Sequence, residues 1–396
     1  MTDRPSAAAS FPLTRPTPFD PPAELARHRQ EGAVSRLAYP DGHVGWLVTG
    51  YELVRAVLSD PRFSSRAELA HTPLPSASIA AEARPAPPGF FLQTDAPEHT
   101  RYRHLLTGQF TVRRMRALRP RISEITDDCL DDMAWHGPPV DLVQALALPI
   151  PSLVICELLG VPYEDREEFQ RHSAALARVG ASHEETMGAY LALTGFMGEL
   201  VAARRAMPGD DLLSGLTSSD LTDEELTNIG FMLLGAGHET TANMIALGTM
   251  ALMEHRDQIN ALNKDPERVV EELLRYLSVV PFTVRTALAD VELGGRLIKA
   301  GESVTVSIAA ANRDPGRFAD PDTLDLLRSA GTHIAFGHGI HQCLGQQLAR
   351  IEMQIAYPAL FARFPTLRLA VPEQEVPLRT DMLIYGVHRL PVTWEA

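Results

Sequence analysis

Hydrophobic and polar positions change their period at a few well-marked places along this chain. Residues 34–49, VSRLAYPDGHVGWLVT, alternate roughly in their second half, and Pro40-Asp41-Gly42 sits between the halves. This predicts two strands joined by a turn. YELVRAVLSD (51–60) reads as a helix. Residues 69–93 hold no sustained period and contain five prolines, and a loop of that length inside a compact protein is usually functional or disordered. From about residue 97 to 277 the pattern is helical, broken at Pro and Gly. Strands return at 284–308 and at 383–394. Residues 1–22, rich in proline and small side chains, predict an extended N-terminal arm. The expected fold is mainly α with minor β: one large helical domain over 23–396, with a small sheet contributed by both ends of the chain.

Composition changes this picture only by exclusion. The chain has 396 residues, 45% of them hydrophobic, enough to bury a large core. Its three cysteines (Cys129, Cys156 and Cys343) are far apart and odd in number, which fits a reduced compartment without a disulfide framework. A net charge of −14 argues against nucleic-acid binding. The N-terminus lacks the apolar stretch of a signal peptide. The most apolar internal run, 145–162, carries Pro149, Pro151 and Glu157 and is too short and broken to span a bilayer. A cytoplasmic, monomeric protein that avoids membranes is expected.

Candidate chemistry centres on HIAFGHGIHQCLGQQLARIEM (333–353). Cys129 and Cys156 sit in apolar helical runs and read as small buried hydrophobes. Cys343 keeps different company. Gly337, Gly339 and Gly345 allow backbone to approach a planar ligand closely. The helical period that follows places the cysteine at or just before a helix N-terminus, where free N–H groups favour thiolate. A zinc site on His338, His341 and Cys343 is an alternative that lacks a fourth ligand. A cysteine nucleophile is another, and it needs a partnered base.

A second stretch, LTDEELTNIGFMLLGAGHETTANMIALGTMALMEH, opens with the capping box Thr222-x-x-Glu225. It continues for about 32 residues, roughly 48 Å of helix. Gly235, Ala236 and Gly237 interrupt its middle, and Glu239, Thr240 and Thr241 follow. The residues allow either a glycine contact between packed helices, with threonines bonding back to carbonyls, or a groove served by an acid and an alcohol. His238 projects to another face. EELLRY (271–276) sets Glu272 and Arg275 three apart on a helix face, as a bare pattern a weak surface pair.

Phe336-x-x-Gly339-x-His341-x-Cys343-x-Gly345 resembles the haem-binding signature of cytochrome P450 monooxygenases at every fixed position. The resemblance implies the cytochrome P450 fold, haem b (iron protoporphyrin IX) as cofactor and Cys343 as the thiolate ligand to iron, a ligand that favours O–O cleavage. AGHET (236–240) resembles the family's oxygen-activation motif, implying Thr240 as the hydrogen-bonding alcohol and Glu239 as the relay of protons from water; Thr241 is the alternate alcohol. His99 and Arg103 in DAPEHTRYR, with Arg285 and His341, match the family's propionate partners. Glu272 and Arg275 become an internal structural pair that steadies the cysteine loop with a downstream arginine, Arg328. These motifs occur in the family's order across nearly the whole chain. Departures are small: Ala96-Pro97 replaces a double proline, and the acid before Thr240 is glutamate.

The resemblance further implies insertion of one oxygen atom from O2 into a lipophilic small molecule: hydroxylation or epoxidation of a polyketide, terpenoid, steroid or xenobiotic. No flavin or nicotinamide site is evident, so electrons must come from outside, by resemblance from a ferredoxin and its reductase. Seven arginines and no acid lie between Glu98 and Glu124, and this segment is the expected docking surface. Expected pocket residues are Phe90, Phe91, Leu233, Leu234, Ala236, Gly237, Phe282, Val284, Leu383 and Ile384, with the 69–93 loop as a lid. The rivals are a haem-thiolate sensor or carrier without turnover, and the zinc enzyme.

Overall fold

The computed structural model describes residues 8–74, 84–176, 182–329, 331–380 and 382–395. Residues 1–7 of the expected arm and 75–83 of the expected lid lie outside these. The principal helices are α1 (Ala23–Gln30), α2 (Tyr51–Ser59), α3 (Glu98–Thr107), α4 (Arg119–His136), α5 (Pro149–Leu159), α6 (Arg166–Leu176), α7 (His183–Ala206), α8 (Asp223–Glu254), α9 (Pro266–Leu277) and α10 (Gln346–Arg363).

Strands β1 (Ala9–Ser10), β2 (Val34–Ala38), β3 (Val44–Val48), β4 (Phe63–Ser64), β5 (Phe282–Ala287) and β6 (Ser303–Ser307) form one sheet in the order β1-β2-β3-β6-β5-β4. The Pro40-Asp41-Gly42 turn joins antiparallel β2 and β3, and β3 runs parallel to β6. The sheet therefore unites residues 9–64 with residues 282–307. The C-terminal stretch departs from expectation: only Pro391–Thr393 is strand, and it belongs to a separate three-stranded sheet with Val140–Asp141 and Arg368–Leu369. Residues 383–386 do not pair as a strand: Ile384 lines the cavity described below, Tyr385 bonds the Val279 carbonyl, and Gly386 sits against Asn243 of α8.

Helix α8 is the axis of the core. Thr222 Oγ1 accepts from the Glu225 N–H and the Glu225 carboxylate accepts from the Thr222 N–H, the reciprocal cap that the sequence predicts. From Thr241 to Leu252 every residue is buried, as expected of a helix surrounded by others on all sides. Gly248 lets α10 close on it: a Cβ there would lie 2.1 Å from the Tyr357 hydroxyl. That hydroxyl, fully buried, donates to the Met244 carbonyl at 2.5 Å and has nowhere to retreat. Gly248→Ala is therefore expected to destabilise the protein by about 1–3 kcal/mol, read as a lower denaturant midpoint. Tyr357→Phe in the same chain should restore part of the loss.

Residues 8–20 run along the body. The Phe11 ring packs on Phe282 at 4.8 Å, the Arg15 guanidinium lies 3.5 Å over the Tyr385 ring, and the Tyr385 hydroxyl donates to the Pro18 carbonyl at 2.6 Å. Among the described residues one helix is long and apolar enough to cross a bilayer by length and composition, the Glu184–Ala206 part of α7. The apolar run 145–162 instead contributes most of its length to the buried helix α5.

Candidate active site

A cavity of about 450 Å³ lies between α8 and the loop before α10. Its α8 wall is Met232, Leu233, Ala236, Gly237, Thr240, Thr241 and Met244, a spacing of three and four that marks one helix face. Leu234 falls off that face into the core, and His238 is buried against the Leu148 carbonyl, its pKa pushed down to about 4 by burial. Glu239 also lies off the face. Its carboxylate accepts from Arg379 Nη2. The Thr240 hydroxyl does line the cavity and donates back to the Ala236 carbonyl at 2.7 Å.

Side-chain alternation corrects the β5 expectations. Thr283 and Arg285 face the cavity, so Phe282 and Val284 must face away, and both pack with Phe11 and Leu25 instead. The two-residue period thus puts Phe282 and Val284, expected in the pocket, on the face opposite Arg285, expected at the propionates. Of the remaining expected pocket residues, Phe91 and Ile384 line the cavity. Phe90 packs against Phe231 instead, at 6.2 Å. Leu383 is 55% exposed and points outward.

The cysteine loop is tightly specified. Gly339 adopts φ +73°, and a Cβ there would meet the Leu58 carbonyl oxygen at 2.2 Å, so only glycine fits. The Cys343 N–H donates to the Phe336 carbonyl at 2.8 Å, and Gly345 caps α10. Burial pushes the Cys343 thiol up, while the Gly345 N–H, Arg103, Arg350 and the Gln346 N–H pull it down; burial wins. The N–H groups at the start of α10 act in the expected direction, toward thiolate, and a metal cation at the sulfur would add to them. Cys129 and Cys156 are buried thiols pushed up to about 12, and inert.

Beside the cysteine, His99 and His341 lie with ring centroids 4.0 Å apart. Both rings' nitrogens, and Arg103 Nη1, are buried without a hydrogen-bond partner. Arg103 spends another N–H on the Gln342 carbonyl. Arg285 is buried, and burial brings its pKa down to about 10. Burial first, then His99, Arg285 and Arg103, drive His341 down to about 3. Two imidazoles and two guanidinium groups thus share a buried corner with nitrogens left over, although buried polar groups are nearly always satisfied. A ligand edge carrying carboxylates fits this corner. Flat space fits too: nothing lies within 4 Å of a Cβ built at Gly337 or Gly345. The haem expected from the sequence matches both features.

Two adjacent acids on α9 brace this region in different directions. Glu272 and Arg275 are fully buried and paired through both carboxylate oxygens, at 2.7 and 2.8 Å. Arg328 adds a bond to Glu272 at 3.1 Å. Arg275 also donates to the carbonyls of Asn312, Pro321 and Thr323. The neighbouring Glu271, which no local sequence pattern marks, holds His333 and Arg350 at 3.1 Å. Burial raises the Glu271 pKa, yet His333 and Arg350 outweigh it and bring it to about 2.

The zinc alternative finds no support: His338 faces Arg55, His341 faces His99, and among the described residues no three His, Cys, Asp or Glu side chains gather as a metal site. The structure adds residues that sequence reasoning missed. Glu352, fully buried on α10, lines the cavity beside Thr241, and burial pushes its pKa up to about 8. Arg379 pairs with Glu239. Thr283 could have been found from alternation with Arg285, and Met232 and Met244 from the helical spacing of Thr240; nothing in the sequence pointed to Arg379.

A family model described as Cytochrome P450 matches residues 202–393. The chain is 51% identical over 395 residues to Cytochrome P450 105C1 of Streptomyces sp, covering 98% of this chain and 99% of that protein. It is 45% identical to pentalenic acid synthase of Streptomyces avermitilis, covering 98% of each. The crystal structure of cytochrome P450 MoxA from Nonomuraea recticatena superposes with a TM-score of 0.91 at 45% identity, again over 98% of each chain.

Proposed function

Because the chain belongs to the cytochrome P450 family, we propose how its own residues divide the work of that activity. The protein is a haem-thiolate monooxygenase acting on lipophilic molecules, and it requires external redox partners. When bound, the haem supplies oxygen activation and transfer of one oxygen atom. The assignments to individual residues below, haem b as the form of haem, a cytoplasmic setting, and ferredoxin with its reductase as donors are our reading. So is the division into an accessory arm (1–22) and one haem domain (23–396), supported by cavity walls that range from Leu58 to Ile384.

The observation that carries the reading is the buried corner of His99, Arg103, Arg285 and His341, with orphaned nitrogens beside Cys343. These four hold the two propionates, and Cys343 ligates iron. Thr240 presents its hydroxyl to the cavity and turns from the Ala236 carbonyl to deliver a proton there. Glu239, outside the cavity wall, takes protons from solvent and passes them toward Thr240. Phe91, Leu233, Ala236, Gly237 and Ile384 shape an apolar chamber for the substrate. A spin-shift titration series of lipophilic compounds identifies the ligand. With that ligand, Thr240→Ala is expected to lower product formed per NADPH by about tenfold or more, the lost electrons appearing as peroxide. Full coupling in the variant removes Thr240 from the relay.

For electron delivery the structure narrows the arginine segment. Arg101 is committed to Glu225 and Asp220, Arg114 to Gln109, Arg119 to Gln354, and Arg121 to Glu157 and Glu124. Arg113 and Arg116 are exposed and have no partner among the described residues. The docking surface is therefore proposed on these two. Arg113→Glu with Arg116→Glu is expected to slow ferredoxin-driven turnover several-fold at low salt, with the difference shrinking as salt rises, and to spare peroxide-driven turnover. Equal loss in both assays defeats the docking role.

A further inference from the structure

We infer that Arg379 is the positioning residue of the proton relay, holding the Glu239 carboxylate and tying its release to the cavity wall that Ile384 forms. The inference rests on the reading of Glu239 as the relay acid. Three observations on one short segment carry it. Arg379 is 7% exposed, its Nη2 donates to Glu239 Oε1, and its Nε is buried with no partner. The guanidinium is thus committed to this carboxylate inside the protein, where a lost partner leaves a buried charge unpaired.

The Arg379 N–H donates to the Gly386 carbonyl at 2.9 Å, and Leu378 bridges to Val387, so Leu378 and Arg379 lie antiparallel against Gly386 and Val387. This fold is seated on α8 at a second point. A Cβ on Gly386 would fall 1.9 Å from Asn243 Oδ1, and Asn243 Nδ2 donates to the Glu239 carbonyl at 2.9 Å. Between the two seats, Ile384 lines the cavity. The next residue, Tyr385, is fixed by its N–H to the Val279 carbonyl at 2.8 Å.

The consequence is mechanical. Glu239 sits off the cavity face of α8 and points to Arg379, so passing a proton toward Thr240 requires its carboxyl to swing away from the guanidinium. Arg379 sets how often that happens. An occupant pressing on Ile384 bears on the same folded segment that carries Arg379, so substrate fit and proton delivery share one moving part.

The test uses the full haem-loaded chain with a plant-type ferredoxin and its reductase. It reads NADPH oxidation in H2O and D2O, and amide hydrogen exchange across 377–387. Arg379→Gln is expected to slow NADPH oxidation by about fivefold or more and to raise the solvent isotope effect. It is also expected to speed exchange at the Arg379 amide by about tenfold. Arg379→Lys, which keeps the charge, should recover most of the rate. Added to Glu239→Gln, the Arg379→Gln change should alter the rate by less than about twofold, because both act on one pair. Additive losses, or a normal rate and isotope effect in Arg379→Gln beside a slow Glu239→Gln, overturn the inference while the relay stands. A Glu239→Gln protein with normal rate and isotope effect overturns the relay reading and the inference with it.

Discussion

Cys343→Ala is expected to abolish monooxygenation and the reduced carbon monoxide spectrum of a haem-thiolate protein while leaving the fold intact. Two features separate the effects. The loop is held by backbone, through the Cys343 N–H to the Phe336 carbonyl and through the Gly339 fit against Leu58, and neither needs the sulfur. Burial disfavours the sulfur as an anion, so in the haem-free protein it behaves as a small neutral side chain. Its loss costs little more than the packing of one atom and weak contacts with the Gly345 and Gln346 N–H groups. Denaturant midpoints of the haem-free proteins should therefore agree within about 1 kcal/mol. A variant that keeps the parent Soret and carbon monoxide spectra removes Cys343 as the iron ligand, and with it the whole assignment.

Glu272→Ala should have the largest effect on stability of any single change considered. It strands Arg275 and weakens Arg328 at a position where the Glu272 and Arg275 side chains are fully buried. Breaking a buried pair from one side costs about 3–5 kcal/mol. Swapping both partners for apolar residues is often neutral, but here Arg275 also serves the carbonyls of Asn312, Pro321 and Thr323. Glu272→Leu with Arg275→Met is therefore expected to remain at least about 2 kcal/mol down, since those acceptors lose their donor. Haem retention should fall with stability, because the anchored stretch leads into the cysteine loop. A Glu272→Ala protein within about 1 kcal/mol of the parent contradicts the brace.

How legible this was in the sequence depended on the range of the interaction. The cysteine loop, the α8 cap and the Glu272–Arg275 pair each lie within a few residues, and local spacing carries them. The cavity face of α8 was partly legible: a three-and-four spacing from Thr240 reaches Ala236, Leu233 and Met232, and taking Leu234 as well ignored it. The two-residue period of β5 likewise separates Phe282 and Val284, expected in the pocket, from Thr283 and Arg285, which face it. Arg379 and Glu352 were beyond reach for another reason. One stands 140 residues from Glu239, the other is an ordinary-looking acid in an amphipathic run, and only packing reveals what each meets. The arginine segment shows the opposite limit, because its count of charges does not reveal which of them distant or neighbouring partners take up and which stay free.

The seating of Phe11, Arg15 and Pro18 on Phe282 and Tyr385 has a practical consequence at the bench. Trimming the first twenty residues to ease crystallisation would unbutton the outer side of the panel whose inner side bears Ile384. Ligand profiles gathered from a shortened protein would then describe a roomier chamber than the one the whole chain encloses.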